Sequence, residues 1–256
     1  MNKTEYGIQM YSLHDITAEH LKEALKAVAD MGYKYIEFAG FFGHSPEEIK
    51  SWLKEYKLTV TGSHIGLDQI KSDKIEETLT YHKAIGCDNL IVPAADWSDL
   101  DKFNDVINTL NEADEILKKN GLRLGYHNHS DEFLPTPDGI IFQDELIKRT
   151  SIEFEIDVFW LYNAGIDVVS YLEKYKERIK VIHLKDGNIC PPENRIYGHS
   201  YKGVEEFSVG MGSVPVSDII SWANKNNVLI IVESEGLNPT GPEEVARCME
   251  YLKTLD

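Results

Sequence analysis

LRLGYHNHSDEF, residues 122–133, is the stretch from which the rest of the chain is read. Leu122, Leu124 and Tyr126 recur at every second position, the period of a strand with a buried side. The run ends in His127 and His129, which share one face if the strand continues through both. Asp131 and Glu132 follow at once in a polar loop. Imidazoles at the mouth of a buried strand suit metal binding or proton transfer. A pair of hydrogen-bonded loop histidines is the plainer alternative.

Outward from this strand the pattern repeats. Short apolar runs at 6–11, 33–38, 58–63 and 89–92 precede it, and others at 152–157, 180–184 and 228–233 follow it. Between them lie helical patterns at 17–31, 45–56, 73–85, 100–119, 139–148, 168–178, 216–226 and 242–252. Ser45-Pro46-Glu47-Glu48 is a helix start: an N-cap serine, proline at the first position and acids in the first turn. Gly32, Gly86 and Gly121 sit where helices stop. Strands alternating with helices imply a parallel sheet. Eight such units in 256 residues are the arithmetic of a (β/α)8 TIM barrel of the α/β class. A doubly wound open sheet is the competing architecture, but no G-x-G-x-x-G follows the first strand. No linker-like stretch divides the chain, so residues 1–256 read as a single domain.

Composition narrows the partners. With 43 acidic and 26 basic residues the formal net charge is −17. Phosphate backbones are bound by clustered Lys and Arg, which this chain lacks, so nucleic acid is not an expected partner, nor is an anionic membrane surface. The three scattered cysteines, Cys87, Cys190 and Cys248, without a CxxC, suggest reduced thiols and a cytoplasmic location. No signal peptide or bilayer-length apolar run is evident.

Barrel enzymes carry their chemistry at the C-terminal ends of the strands. Read in order, those ends hold Gln9 and Tyr11, Glu37, Ser63 and His64, Pro93, His127, Asp157, His183 with Lys185, and Glu233 with Glu235. By parity, His127 shares a face with Gly125, Asp157 with Glu155, His183 with Val181, and Glu233 with Ile231. His127, Asp157, His183 and Glu233 come from strands five to eight and converge on one candidate metal site. Two imidazoles with two carboxylates suit Mn²⁺, Co²⁺, Fe²⁺ or Zn²⁺. A hydrogen-bonded polar layer without metal is the alternative. The connection at 187–213, with Pro191, Pro192, Gly198, Gly203, Gly210 and Gly212, is too long for an ordinary barrel loop and reads as a lid.

These pieces together resemble a known family. GIQMYSL, GYKYIEFAG, TGSHIG, GLRLGYHNHSDEF, EIDVFW, RIKVIHLKDG and LIIVESEG are similar, in order, to the sugar phosphate isomerase/epimerase branch of the xylose-isomerase-like barrels. The resemblance implies a divalent ion at the ends of strands five to eight, held by Glu, Asp, His and Glu. Asp157, His183 and Glu233 match three of these positions, while His127 stands where ketose epimerases have glutamate. In those epimerases the strand-five and strand-eight glutamates also form the acid–base pair. Trp160 stands where several relatives have histidine and is a candidate wall for a sugar ring.

The expected activity is therefore metal-dependent isomerisation or epimerisation of a sugar, keto-sugar or inositol-like polyol through an enediolate-type proton transfer. Glu233, His127 and Lys185 are the candidate acid–base residues. Glu37, His64, His129, Trp160 and Arg195 are the candidate substrate contacts. The same constellation also serves a lyase or dehydratase acting on a keto-glycoside. A phosphodiesterase of the AP-endonuclease type shares the barrel but needs a basic groove. A non-catalytic sugar-binding barrel is a further reading. Phosphate recognition recruits arginine, and of the five arginines only Arg195 is placed for it, so the substrate is expected to be unphosphorylated. The lid is expected to close on substrate, or else to form a contact between copies in a homo-oligomer.

Overall fold

Eight parallel strands close into a barrel in the computed structural model, which describes residues 4–255. In chain order they are β1 (Gly7–Gln9), β2 (Tyr35–Phe38), β3 (Thr59–His64), β4 (Asn89–Val92), β5 (Arg123–His127), β6 (Glu153–Asp157) and β7 (Ile179–Leu184). A hairpin of β8 (Asp186–Asn188) and β9 (Glu205–Phe207) stands outside the barrel, and β10 (Leu229–Val232) closes it against β7 and β1. The helices between them are α1 (His14–Met31), α2 (Pro46–Tyr56), α3 (Ile75–Ile85), α4 (Leu100–Lys119), α5 (Phe142–Arg149), α6 (Val158–Asn163), α7 (Val168–Tyr175), α8 (Val216–Asn226) and α9 (Gly241–Leu252). This is the TIM barrel the alternation predicts. Residues 1–3 and 256 lie outside the described residues, so the expected domain limits are not described to their ends.

The two faces of each strand do different work. Ile8, Ile36, Leu90, Leu124, Ile156, Ile182 and Ile230 are buried against the helices and form the main core. Each such side chain contributes about 1.5–3 kcal/mol by leaving water. On α1, Leu21, Ala24, Leu25 and Val28 share the face turned to this core, at helical spacing. Inside the barrel, small residues make room for large neighbours. A Cβ at Gly7 would stand 2.2 Å from Ile231 Cδ1, and one at Gly62 would stand 2.4 Å from Glu37 Oε2. A larger residue at either position would have to displace the end of the Ile231 or the Glu37 side chain.

Local signals behave as physical chemistry requires. Ser45 Oγ accepts from Glu48 N at 3.3 Å and Glu48 Oε2 accepts from Ser45 N at 2.9 Å, a reciprocal cap on α2. Gly32 and Gly86 end α1 and α3 with positive φ.

Three details differ from the sequence reading. The helix expected at 139–148 begins instead at Phe142. The backbone folds back at Gly139 (φ 79°), where Gly139 N donates to Thr136 O and Thr136 N donates to Ile140 O. An additional helix, α6, follows β6 directly, because Asp157 Oδ1 accepts from Trp160 N and caps it. The 187–213 connection is not wholly irregular: it contains β9, paired with β8, and a 3-10 turn at Pro192–Asn194. Asp186 holds its base, accepting from the backbone N–H groups of Gly187, Gly210, Gly212 and Val214 at 2.8–3.0 Å. Among the described residues no helix is long and apolar enough to cross a membrane. The three cysteines are free and buried.

Candidate functional site

The end of β5 is built by its own sequence. Asn128 is buried and bridges to the next strand: its Nδ2 donates to Asp157 O at 3.2 Å and its Oδ1 accepts from Asp157 N at 3.1 Å. This exchange fixes the exits of β5 and β6 side by side. Glu132 Oε2 accepts from His129 N at 3.0 Å and turns the chain back at once. The strand stops at His127, yet both histidines reach the same space, with ring centroids 5.0 Å apart.

His127, Asp157, His183 and Glu233 converge as the parity argument expects. Glu233 Oε2 accepts from His183 Nδ1 at 3.0 Å, and His127 Nε2 lies 3.7 Å from Asp157 Oδ2 and 3.8 Å from Glu233 Oε2. All four are buried. Both ring nitrogens of His127 and Oδ2 of Asp157 lack a hydrogen-bond partner among the described residues. Burial pushes the His127 imidazole well below its ordinary range, and the neighbouring His183, His129 and His64 push the same way. A neutral imidazole offers a lone pair. Burial pushes the Asp157 carboxyl up to about 6, against the pull of Lys185. Burial would also raise Glu233, but the His183 imidazole outweighs it and holds that carboxyl low. The divalent cation implied for such barrels fits this set: two imidazoles and two carboxylates, with unsatisfied atoms turned toward one another.

One layer deeper lies a second group. Glu37, His64 and Glu155 surround the other nitrogen of His183. His183 Nε2 is 2.7 Å from Glu37 Oε1 and 3.0 Å from Glu155 Oε1, while His64 Nε2 is 2.7 Å from Glu155 Oε1 and 3.2 Å from Glu37 Oε1. Gln9 Nε2 also donates to Glu37 Oε1 at 2.8 Å. Burial would lower both imidazoles, but the facing carboxylates prevail: His64 is raised to about 10 and His183 is raised strongly.

The remaining candidates separate. A cleft of about 500 Å³ at this end of the barrel is lined by His64, His127, His129, Glu233, Glu235 and Tyr11, among others. Trp160 packs beside His129 and under Tyr201, with ring centroids 5.8 and 5.0 Å away. Lys185 is fully buried, pairs with Glu235 and with Glu206 Oε2, and lies 5.1 Å from the Trp160 ring. Two candidates stand apart from the cleft lining. Glu37 is fully buried and hydrogen-bonded to Gln9 and His183, beneath the cleft. Arg195 packs against Gly165 and does not line the cleft.

Glu155 was legible only as a position. Parity puts it on the inner face with Asp157, but a carboxylate in mid-barrel carries no loop or motif signal. Glu206 was missed because its place depends on the β8–β9 hairpin, a pairing of short, distant segments.

With the geometry in place, the comparisons agree with the resemblance. Residues 25–255 match the family described as the xylose isomerase-like TIM barrel, and the chain belongs to that family. Over 188 residues it is 24% identical to inosose dehydratase of Geobacillus kaustophilus, covering 64% of this chain but only 61% of that enzyme. Over 253 residues it is 26% identical to inosose dehydratase of Lactiplantibacillus plantarum, covering 84% of this chain and 81% of that enzyme. A solved structure of a sugar phosphate isomerase/epimerase from Parabacteroides distasonis superposes with a TM-score of 0.77 at 26% identity, covering 96% of both chains.

Proposed function

We propose that this chain is a divalent-metal-dependent enzyme that takes a proton from the carbon beside the carbonyl of a keto-sugar or keto-inositol and then expels a β-hydroxyl as water. A divalent ion on His127, Asp157, His183 and Glu233 would supply Lewis acidity to neighbouring carbonyl and hydroxyl oxygens. The observation that carries the reading is the uneven wall of the cleft. Glu233, just past β10, shares the cleft with two imidazoles, His127 at the end of β5 and His129 just beyond it. Epimerisation at one carbon is served by acid–base groups on its two sides, as the paired glutamates of the resembling epimerases provide. Here the strand-five carboxylate is replaced by His127.

In the proposed reaction Glu233 takes the proton, the carbon–oxygen bond breaks, and His129 gives its proton to the departing hydroxyl. The product is an unsaturated ketone plus water. His129 suits the acid role because Glu132, in contact with its ring, holds its pKa up against burial. Lys185 stands behind the cleft wall and holds Glu235, and Trp160 with Tyr201, packed beside His129, is the proposed face for the ring of a polyol once the lid closes. Segment 187–213 is the proposed lid, since it carries Tyr201 and is tied to the β5 loop where Ser200 Oγ donates to Asp131 at 2.6 Å. No Arg or Lys lines the cleft among the described residues, which supports an unphosphorylated substrate. The names of the two relatives, both inosose dehydratases, support elimination. The structural neighbour named as an isomerase/epimerase keeps proton transfer without elimination as the second reading.

Incubation with keto-inositols and keto-glycosides in D₂O containing Mn²⁺ tests it. Ultraviolet absorbance of an unsaturated ketone is the expected result. A deuterated epimer or isomer without that absorbance would replace elimination by isomerisation. Binding without deuterium exchange or product would make the barrel a sugar-binding protein.

A further inference from the structure

We propose that a second divalent cation, of the Zn²⁺ or Mn²⁺ class, binds inside the barrel beneath the first site, between Glu37, His64, Glu155 and His183. The four side chains come from β2, β3, β6 and β7, and donor atoms from all four lie within 4.8 Å of one another. Taken in sequence around the ring, Glu37, His183, Glu155 and His64 have adjacent donors 2.7, 3.0, 2.7 and 3.2 Å apart. Ligands about 2.1 Å from a central ion stand roughly 3–3.4 Å from each other. An outward movement of a few tenths of an ångström therefore seats the ion.

Two further observations point to a ligand. Oε2 of Glu37 and Oε2 of Glu155 are buried with no hydrogen-bond partner among the described residues. Buried carboxylate oxygens are costly to leave unpaired, and an ion seated among the Oε1 donors would pair an Oε2 as well where a carboxylate binds it through both oxygens. The Glu37 carboxylate itself lies where a Cβ at Gly62 would stand.

Glu37, Glu155, Asp157 and Glu233 all crowd one imidazole, that of His183. With no ion bound, protons on His64 and His183 offset the Glu37 and Glu155 carboxylates, and a second divalent ion would take the place of those protons. His183 turns Nδ1 to Glu233 above and Nε2 to Glu37 and Glu155 below, so a single imidazole borders both sites. The simpler arrangement, in which the ring binds one ion and donates its other N–H to a carboxylate, is common in metal sites. It leaves the two Oε2 atoms unanswered. The inference does not require the elimination reading, and it shares only His183 with the first site.

The test is metal stoichiometry. Protein stripped with chelator, then saturated with Mn²⁺ or Zn²⁺ and dialysed, is analysed by plasma mass spectrometry. Two ions per chain are expected in the wild type. One is expected in Glu155→Gln and in Glu37→Gln, and one, held in the lower site, in Asp157→Asn. Electron paramagnetic resonance of the Mn²⁺-loaded wild type adds a readout independent of any variant. Two ions sharing an imidazole couple magnetically, so the isolated six-line signal is replaced by a broadened one. A wild type that saturates at one ion, lost in Asp157→Asn but kept in Glu155→Gln, overturns the second site and leaves the first standing. One ion lost in Glu155→Gln but kept in Asp157→Asn does the reverse.

Discussion

Asp157 and Asp186 are both buried aspartates, one closing β6 and the other opening β8, and their oxygens have opposite fates. Asp186 is saturated: Oδ1 accepts from Gly187 N and Val214 N, and Oδ2 from Gly210 N and Gly212 N. Asp157 accepts through Oδ1 from Trp160 N at 3.0 Å, while Oδ2 has no partner among the described residues. A carboxylate whose lone pairs are filled by the chain's own N–H groups holds architecture. One left half-filled beside three other donors waits for something from outside.

Substitution should separate the two. Asp157→Asn keeps the cap on α6 and deletes a buried charge. Activity on the substrate found should fall by about 10³-fold or more, since a metal contributes several kcal/mol to the transition state. The metal-free variant should melt no lower than the wild type, because an amide replaces a carboxylate that burial already disfavours. Calorimetry on stripped protein checks this, and a steep loss of stability would erase the contrast.

Asp186→Ala should do the converse. It orphans four backbone N–H groups at about 1 kcal/mol each, so a loss of roughly 3–5 kcal/mol is expected. For a domain of this size that is a drop of about 6–20 °C in Tm. Metal stoichiometry should survive at low temperature. Loss of metal with unchanged Tm would mean that Asp186 belongs to the site after all.

The smallest effect is a pH dependence far from either aspartate. His82 on α3 is buried, and burial pushes its imidazole down although its Nδ1 donates to Thr78 O at 2.7 Å. Its folded-state pKa therefore lies below the unfolded value. The stability it contributes is complete above the unfolded pKa of about 6.5 and declines as pH falls from there toward the folded value. A His82→Gln variant should show a shallower loss of Tm between pH 7 and 5 than the wild type. Equal slopes would assign the acid sensitivity elsewhere.

What could be read from the chain beforehand follows from how local each signal is. α4 was legible because its long periodic run stops at Gly121, and the structure adds that Asp99 caps its start. The four strand-end groups of the upper site were found because strand parity is local and the barrel supplies the convergence. α6 was missed because VFWLYN is one short apolar run, ambiguous between strand and helix, and its cap is a residue already counted as a ligand. The β8–β9 hairpin was missed because three-residue strands 16 residues apart carry no period. The depth of Glu37 was not legible, because a strand end shows which face a side chain takes, not how deep it lies. The register shift beside it, where β3 passes over Thr61 between the partners of Ile36 and Glu37, is likewise unannounced in the local sequence.

The hollow at Gly62 has a historical consequence. A methyl group there would stand 2.4 Å from Glu37 Oε2, so a side chain gained at 62 forces the Glu37 carboxylate to move. Shortening or losing the acid at 37 relieves that pressure. Among descendants of a common ancestor the two positions should therefore change together, and a chain that keeps the glutamate should be found keeping the glycine.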